Sequence, residues 1–151
     1  RRRYLRRLDA LTLLAREELG MEPGERLAPA SRERRATAER VLQALTLVIA
    51  EHEGFSGATE DYYDPRNSFL NEVLDRRTGI PITLALVYME VARRAGVVVE
   101  GVNFPGHFLL RHRAAAGSEY SRDLIIDAHH GGALLTEGMC RELLRKHEGD
   151  D

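Results

Sequence analysis

The chain of 151 residues has no tryptophan, one cysteine and one lysine, and its aromatic content is only 6%. The single cysteine, Cys140, excludes an internal disulfide and is typical of a protein in a reducing cytoplasm. The longest apolar stretch, Ile82 to Met89, is too short to span a bilayer, and no signal peptide is visible. We therefore expect a cytoplasmic protein that has no membrane partner.

A strong charge imbalance is also missing, because the formal net charge is −2. The arginines alternate with aspartates and glutamates, as they do on a solvated helix face. This pattern argues against nucleic acid as a partner. Apolar residues make up 43% of the chain and charged residues 30%, which is ordinary for a globular domain long enough to bury a core.

The first half of the sequence predicts three helices. The first carries an apolar face that ends at Gly20, and the second begins near Ser31 and ends at Gly54 and Gly57. The third is predicted to begin at Asp64-Pro65, with these residues facing inward: Phe69, Leu70, Val73 and Leu74. The loop between the first two helices covers residues 22–29.

A fourth helix begins at Pro81 and is apolar on almost every side until Arg93, which predicts a buried central helix. Three strands follow, over residues 97–104, 107–112 and 124–127, and a hairpin loop is expected at residues 113–121. Pro105-Gly106 is a turn signal between the first two strands. A last helix is capped by Thr136. Helices followed by an antiparallel sheet on one central helix indicate an α+β fold.

Three blocks of sequence resemble the SirB-type branch of the transglutaminase-like superfamily. They are residues 62–74 (YYDPRNSFLNEVL), 79–82 (GIPI) and 101–108 (GVNFPGHF). The resemblance covers roughly residues 31 to 147 and implies a transglutaminase-like, papain-like core. We expect residues 1–30 to form an N-terminal helix and loop, 31–147 this domain, and 148–151 a tail. A tetratricopeptide-type helical region follows the domain in full-length relatives, and we expect it to be absent from this sequence.

The resemblance also implies a catalytic site whose first member is missing. Transglutaminase-like cores place a cysteine in a Gly-x-Cys turn at the start of the central helix, followed by a histidine and an aspartate on successive strands. Here those positions read Pro81, His107 and Asp127. In active members the thiolate attacks an amide carbonyl, the histidine moves the proton and the aspartate orients the histidine. Proline cannot attack anything.

Two neighbours could replace the thiol. The Thr83 hydroxyl is rotated by about 200° around the helix axis from Pro81 and should point elsewhere. Cys140 lies beside Met139 and Leu143 on an apolar helix face, where we expect it to be buried and structural. Neither residue is therefore predicted to act as the nucleophile.

Other polar residues have both a functional and a structural interpretation. Asn71 and Asn103 either donate hydrogen bonds to a bound carbonyl, together with Pro81 and Thr83 in a binding cleft, or are ordinary helix-surface and turn residues. His107 and Asp127 form a residual dyad, or cap a strand and a turn.

A metal site is not predicted. His107 and His112 lie five residues apart on one strand and face opposite sides, while His129 and His130 are adjacent and cannot easily chelate one ion together. We expect no cofactor.

Two functions remain open. The first is a non-catalytic binding module for a peptide or protein, and the sequence favours it because the group that the chemistry cannot spare is gone. The second is an amide hydrolase or peptidase that uses a water activated by His107 and Asp127.

Overall fold

The structure, a computed structural model, describes residues 2–20, 31–59, 63–105, 107–113 and 123–149. The α-helices are α1 (Arg2–Glu18), α2 (Ser31–Thr46), α3 (Leu70–Arg76), α4 (Pro81–Arg94) and α5 (Glu137–Gly149). The strands are β1 (Ser56–Gly57), β2 (Thr78–Gly79), β3 (Glu100–Phe104), β4 (His107–His112), β5 (Leu124–Asp127) and β6 (Ala133–Leu135). The predicted loop at 22–29, most of the one at 113–121, Tyr62, Gly106 and the expected boundary at residue 30 lie outside the described residues.

The first two helices bury the apolar faces that the sequence indicated. In α1 the buried side chains include Leu8, Leu11 and Ala15, spaced by three and four residues as one face of a helix requires. Helix α2 continues into a π-helical segment, Leu47–His52, which the sequence pattern did not predict. Both helices share one core with α4, so α1 packs on the same hydrophobic centre as the rest of the chain.

Helix α4 is central but not buried on every side. It contacts α1, α2, α3 and β4, and its inward side chains are fully covered: Leu84, Ala85, Val87, Tyr88, Val91 and Ala92. The prediction of burial all round is wrong at Ile82 and Leu86, which are exposed. An apolar sequence does not reveal which side of a helix its neighbours leave uncovered.

The third helical region differs from the expected single helix. Asp64 caps a 3-10 turn, Pro65–Ser68, and α3 begins only after it, at Leu70. Phe69 lies in extended backbone between the two and is exposed, so its predicted inward position is wrong, whereas Val73 and Leu74 are buried as expected. The break in the helix turns the Phe69 side chain away from the core.

Strands β3 to β6 form an antiparallel sheet in sequence order, and β1 and β2 form a separate short parallel pair. β4 and β5 have the predicted bounds, but β3 begins at Glu100 rather than Val97, and the sequence did not predict β6. Helices beside a small antiparallel sheet agree with the expected α+β class. No helix in the described ranges is both long and apolar enough to cross a membrane.

Helix α5 corrects the expectation for Cys140. Thr136 caps the helix as predicted, through a 3.1 Å hydrogen bond from the backbone N–H of Met139 to the Thr136 hydroxyl. The described side chains of α5 include no buried residue, and Cys140 is only half-buried. The predicted burial of Cys140 is therefore wrong, since an amphipathic pattern does not show whether a neighbour covers the apolar face.

Candidate functional site at α4 and β5

The start of α4 is fixed by a threonine rather than by a reactive group. Ile80 is the N-cap residue and Pro81 takes the first helical position, where proline costs no hydrogen bond. The buried Thr83 hydroxyl accepts a hydrogen bond from the Ile80 N–H (3.1 Å) and donates one to the Asn67 carbonyl oxygen (2.7 Å). This hydroxyl closes the first turn, and its hydrogen-bonding capacity is used by the backbone.

The turn that carries Asn67 is held by charge. Asp64 accepts a hydrogen bond from the backbone N–H of Arg66 (2.9 Å) and forms an ion pair with the same residue's guanidinium (2.7 Å). The Arg66 side chain is the main cause that lowers the pKa of Asp64 to about 2. A carboxylate that is ionised at neutral pH therefore anchors the turn against which the first turn of α4 rests.

His107 and Asp127 lie within hydrogen-bond distance, as the strand order and the family resemblance together predicted. The distance from His107 Nδ1 to Asp127 Oδ2 is 3.2 Å. Asp127 ends β5 and His107 begins β4, so antiparallel pairing brings these two strand ends to the same end of the sheet. Because a carboxylate only accepts, this bond needs a hydrogen on Nδ1, and His107 Nε2 is then free to accept a proton.

His130 joins this pair, which the sequence reasoning missed. Its Nδ1 lies 2.8 Å from Asp127 Oδ2, the same oxygen that faces His107, and the two imidazole ring centroids are 5.5 Å apart. The signal was present in the chain: Asp127 and His130 are three residues apart, and a 3-10 turn, Ala128–His130, places such residues on one side. The sequence alone does not show that this turn follows β5.

His129 has a different role from its neighbour. Its backbone N–H donates to Asp127 Oδ1 (3.1 Å), which caps the turn, and its ring lies against Gly57. A Cβ at Gly57 would come within 2.5 Å of His129 Nε2, so the glycine makes room for this ring. Burial, and then the neighbouring His130, lower the pKa of His129, which favours the neutral imidazole.

The same contacts connect the histidines to the start of α4. Gly57 in β1 pairs with Gly79 in β2, and Gly79 comes two residues before Pro81. Helix α4 also contacts both β1 and the 128–130 turn. The two halves of the expected site therefore lie in one region of the molecule, joined through β1.

The two predicted asparagines are not gathered at this site. Asn103 pairs with Phe108, whereas Phe104 pairs with His107. Because neighbouring strand residues point to opposite faces, Asn103 and His107 lie on opposite faces of the sheet. Asn71 is half-buried in the first turn of α3, and no contact described for it leads to His107 or Asp127.

The Cys140 thiol also lacks the low pKa of a catalytic nucleophile. Burial, and then the nearby Glu137, raise the pKa of its thiol, so the reactive thiolate is disfavoured at neutral pH.

A cavity of about 380 Å³ lies between α2 and β6, and two others have volumes of about 150 and 240 Å³. None of these three cavities is lined by His107 or Asp127.

Comparison with known proteins gives a consistent family result. A family model described as the transglutaminase-like superfamily matches residues 2–151. A UPF0162 protein of Xylella fastidiosa is 43% identical over 110 residues, which are 73% of this chain and 37% of that protein. A UPF0162 protein of Pseudomonas aeruginosa is 42% identical over 120 residues, 80% of this chain and 41% of that protein.

A eukaryotic protein is similar over the same extent. F-box only protein 21 of Mus musculus is 42% identical over 111 residues, which are 72% of this chain and 18% of that protein. The chain thus spans less than half the length of each of these relatives. No solved structure matches the chain.

Proposed function

Because this chain belongs to the transglutaminase-like superfamily, we propose that it is a non-catalytic member that binds a peptide or protein segment beside the start of α4. The observation that carries the proposal is Pro81 at the first helical position of α4. In the expected register this position belongs to the nucleophile, and the proline side chain has no group that attacks a carbonyl. The proposal includes membership of the SirB-type branch and a cytoplasmic location.

Two groups that could replace a nucleophile at the start of α4 are unsuited to that role. The Thr83 hydroxyl is buried and already bonded to Ile80 and Asn67. Cys140 lies on α5, and burial raises the pKa of its thiol. Both observations support the absence of covalent chemistry, because an enzyme of this type needs an exposed and activated nucleophile.

Three exposed apolar side chains at and near the start of α4 support the binding function. They are Phe69, Ile82 and Leu86, which are 57%, 48% and 38% exposed, and we call them the α4 entry patch. Ile82 and Leu86 are four residues apart and share one helix face. The bond from Thr83 to Asn67 brings the turn before Phe69 against the same helix end. Exposed apolar groups of this kind suit a protein or peptide partner.

Binding is tested with a displayed peptide library selected on the purified domain. Enriched peptides should lose at least about tenfold in affinity for Leu86→Glu, because a charge replaces an apolar contact. Leu13→Glu is the matched control, since Leu13 is an exposed leucine on α1. Equal losses with both variants, or no enrichment at all, contradict binding at the α4 entry patch.

A second function has support in the 3.2 Å contact between His107 and Asp127. This geometry leaves His107 Nε2 as a general base that can activate water for amide hydrolysis. A panel of amide and peptide substrates separates the two functions. Turnover that resists iodoacetamide and disappears in His107→Ala supports the hydrolase, whereas turnover that requires Cys140 contradicts both. No turnover supports the binding module.

A further inference from the structure

Two imidazoles and one carboxylate converge where β5 ends. Asp127 Oδ2 faces His107 Nδ1 at 3.2 Å and His130 Nδ1 at 2.8 Å. One ligand atom from each of the three residues lies within 4.8 Å of the others. Two histidines that share one carboxylate oxygen are more than a dyad needs, since a dyad is complete with one histidine.

These distances fit the coordination sphere of a transition-metal ion. Zinc is bound by imidazole nitrogen and carboxylate oxygen at about 2.0–2.2 Å, which places neighbouring ligands of a tetrahedral ion about 3.3–3.5 Å apart. The two nitrogen–oxygen distances of the cluster, 3.2 and 2.8 Å, have to widen by about 0.1 to 0.7 Å to reach this geometry. Two histidines and one carboxylate are also a ligand set that zinc and ferrous iron accept.

The surroundings orient the carboxylate and leave access from solvent. Asp127 Oδ1 is held by the His129 N–H, so Oδ2 is fixed toward the two histidines. Such a hydrogen bond to a ligating carboxylate is a common support of metal sites. The side chain of Asp127 is 5% exposed, that of His107 is 21% exposed and that of His130 is 60% exposed. An ion therefore enters from the His130 side.

We propose that His107, Asp127 and His130 form a binding site for one divalent transition-metal ion, with Zn²⁺ as the first probe. The ion takes the place of the two hydrogens between the imidazoles and Asp127 Oδ2. Each imidazole binds the ion in its neutral form through Nδ1 and carries its hydrogen on Nε2. Three protein ligands leave a fourth position open to water, as in zinc sites that are not purely structural.

The test uses tag-free protein that has been stripped with a chelator, because a histidine tag binds the same ions. Calorimetric titration with Zn²⁺ should give one site per chain. Substitution with Co²⁺ should give visible absorption bands of tetrahedral intensity. The thermal unfolding midpoint should rise with Zn²⁺, since the ion binds the folded state in preference to the unfolded chain.

Three variants identify the ligands. His107→Asn and His130→Asn keep an amide donor that can reach Asp127, so they preserve a hydrogen bond and remove an imidazole ligand. Each should weaken Zn²⁺ binding by about 100-fold or more, because even the loss of a group behind a ligand costs 10- to 100-fold. Asp127→Asn should have an effect of similar size.

His112→Asn is the matched control, because His112 is on the same strand and its Nδ1 lies 2.9 Å from the Val98 carbonyl oxygen rather than at the cluster. It should bind Zn²⁺ as the unchanged protein does. The proposal is overturned if the unchanged protein has no Zn²⁺ site, or if His130→Asn and His112→Asn behave alike while circular dichroism shows both folded.

The metal site does not depend on the proposed binding function. Zn²⁺ affinity is read from calorimetry and Co²⁺ spectra, whereas peptide affinity is read from the α4 entry patch. If Zn²⁺ affinity is absent and peptide affinity is present, only the metal site is contradicted. The reverse result contradicts only the α4 entry patch.

Discussion

The expected catalytic site has two ends, the start of α4 and the end of β5. A side chain caps a turn at each end, but its remaining hydrogen-bonding groups are used differently. At the start of α4, Thr83 caps a turn and both of its hydrogen bonds go to the backbone of Ile80 and Asn67. At the end of β5, Asp127 also caps a turn, through the His129 N–H, but a carboxylate has a second oxygen and this one meets two imidazoles. The first end supports only structure, and the second retains groups available for chemistry.

In the proposed non-catalytic member, this difference explains how a catalytic frame persists when its nucleophile is absent. Pro81 fits the first helical turn, and Asp127 is needed by its own turn whether or not His107 reacts. The capping bond is therefore a reason for an aspartate at position 127 that needs no turnover. A perturbed or paired residue is a candidate for function, and its structural role must be tested separately.

The largest expected effect concerns the turn that follows the histidines. Gly132 has a φ of +70°, and an added Cβ would lie 2.5 Å from the Thr46 hydroxyl and 2.9 Å from that of Tyr88. Gly132→Ala should lower the free energy of unfolding by about 2–5 kcal/mol, from strain and overpacking together. Denaturant titration measures this loss.

Gly131→Ala is the control for that variant. Gly131 has nearly the same φ, +69°, but nothing lies within 4 Å of its added Cβ. Only backbone strain of about 1–2 kcal/mol should appear. If both variants lose the same stability, the close approach of Thr46 and Tyr88 to Gly132 adds no cost beyond backbone strain.

An intermediate effect is expected at the other end. Thr83→Val keeps the side-chain shape but leaves the Ile80 N–H and the Asn67 carbonyl without their hydroxyl partner. The free energy of unfolding should fall by about 1–3 kcal/mol. Thr83→Ser retains the hydroxyl and should lose only about 1 kcal/mol, the worth of one buried methyl group. A larger loss in the serine variant would show that Thr83 acts by packing.

The smallest change in stability, about 1 kcal/mol, is expected for Pro81→Cys, because the first helical turn does not require proline. This variant is made with Cys140→Ser, so that the new thiol is the only one in the chain. A helix N-terminus and an imidazolium both favour the thiolate, so the pKa of the new thiol should fall below the free value of about 8.5.

Alkylation by iodoacetamide near neutral pH measures that effect. The new thiol should react faster than free cysteine, and more slowly when His107→Ala is added. Equal rates with and without His107 would mean that Pro81 does not occupy the nucleophile's position. The alignment that places the family's nucleophile at position 81 would then have to be replaced by a different one.

The sequence by itself determined the elements that local physics dominates. The spacing of Leu8, Leu11 and Ala15 specified a buried helix face, and the β-rich segments specified β4 and β5 at their observed bounds. The resemblance at residues 62–74 and 79–82 indicated the superfamily. The order of His107 and Asp127 along two strands, together with the matching positions in that family, was enough to expect their contact.

Only the tertiary structure decided which apolar faces are covered and which polar groups meet. Ile82, Leu86 and Cys140 lie on apolar faces whose exposure depends on neighbours that are distant in sequence. His130 joins Asp127 because a turn follows β5, and His129 fits because Gly57, over 70 positions earlier, leaves space for its ring. Periodicity records which side of an element is apolar, whereas packing partners separated by long stretches of chain decide what that side contacts.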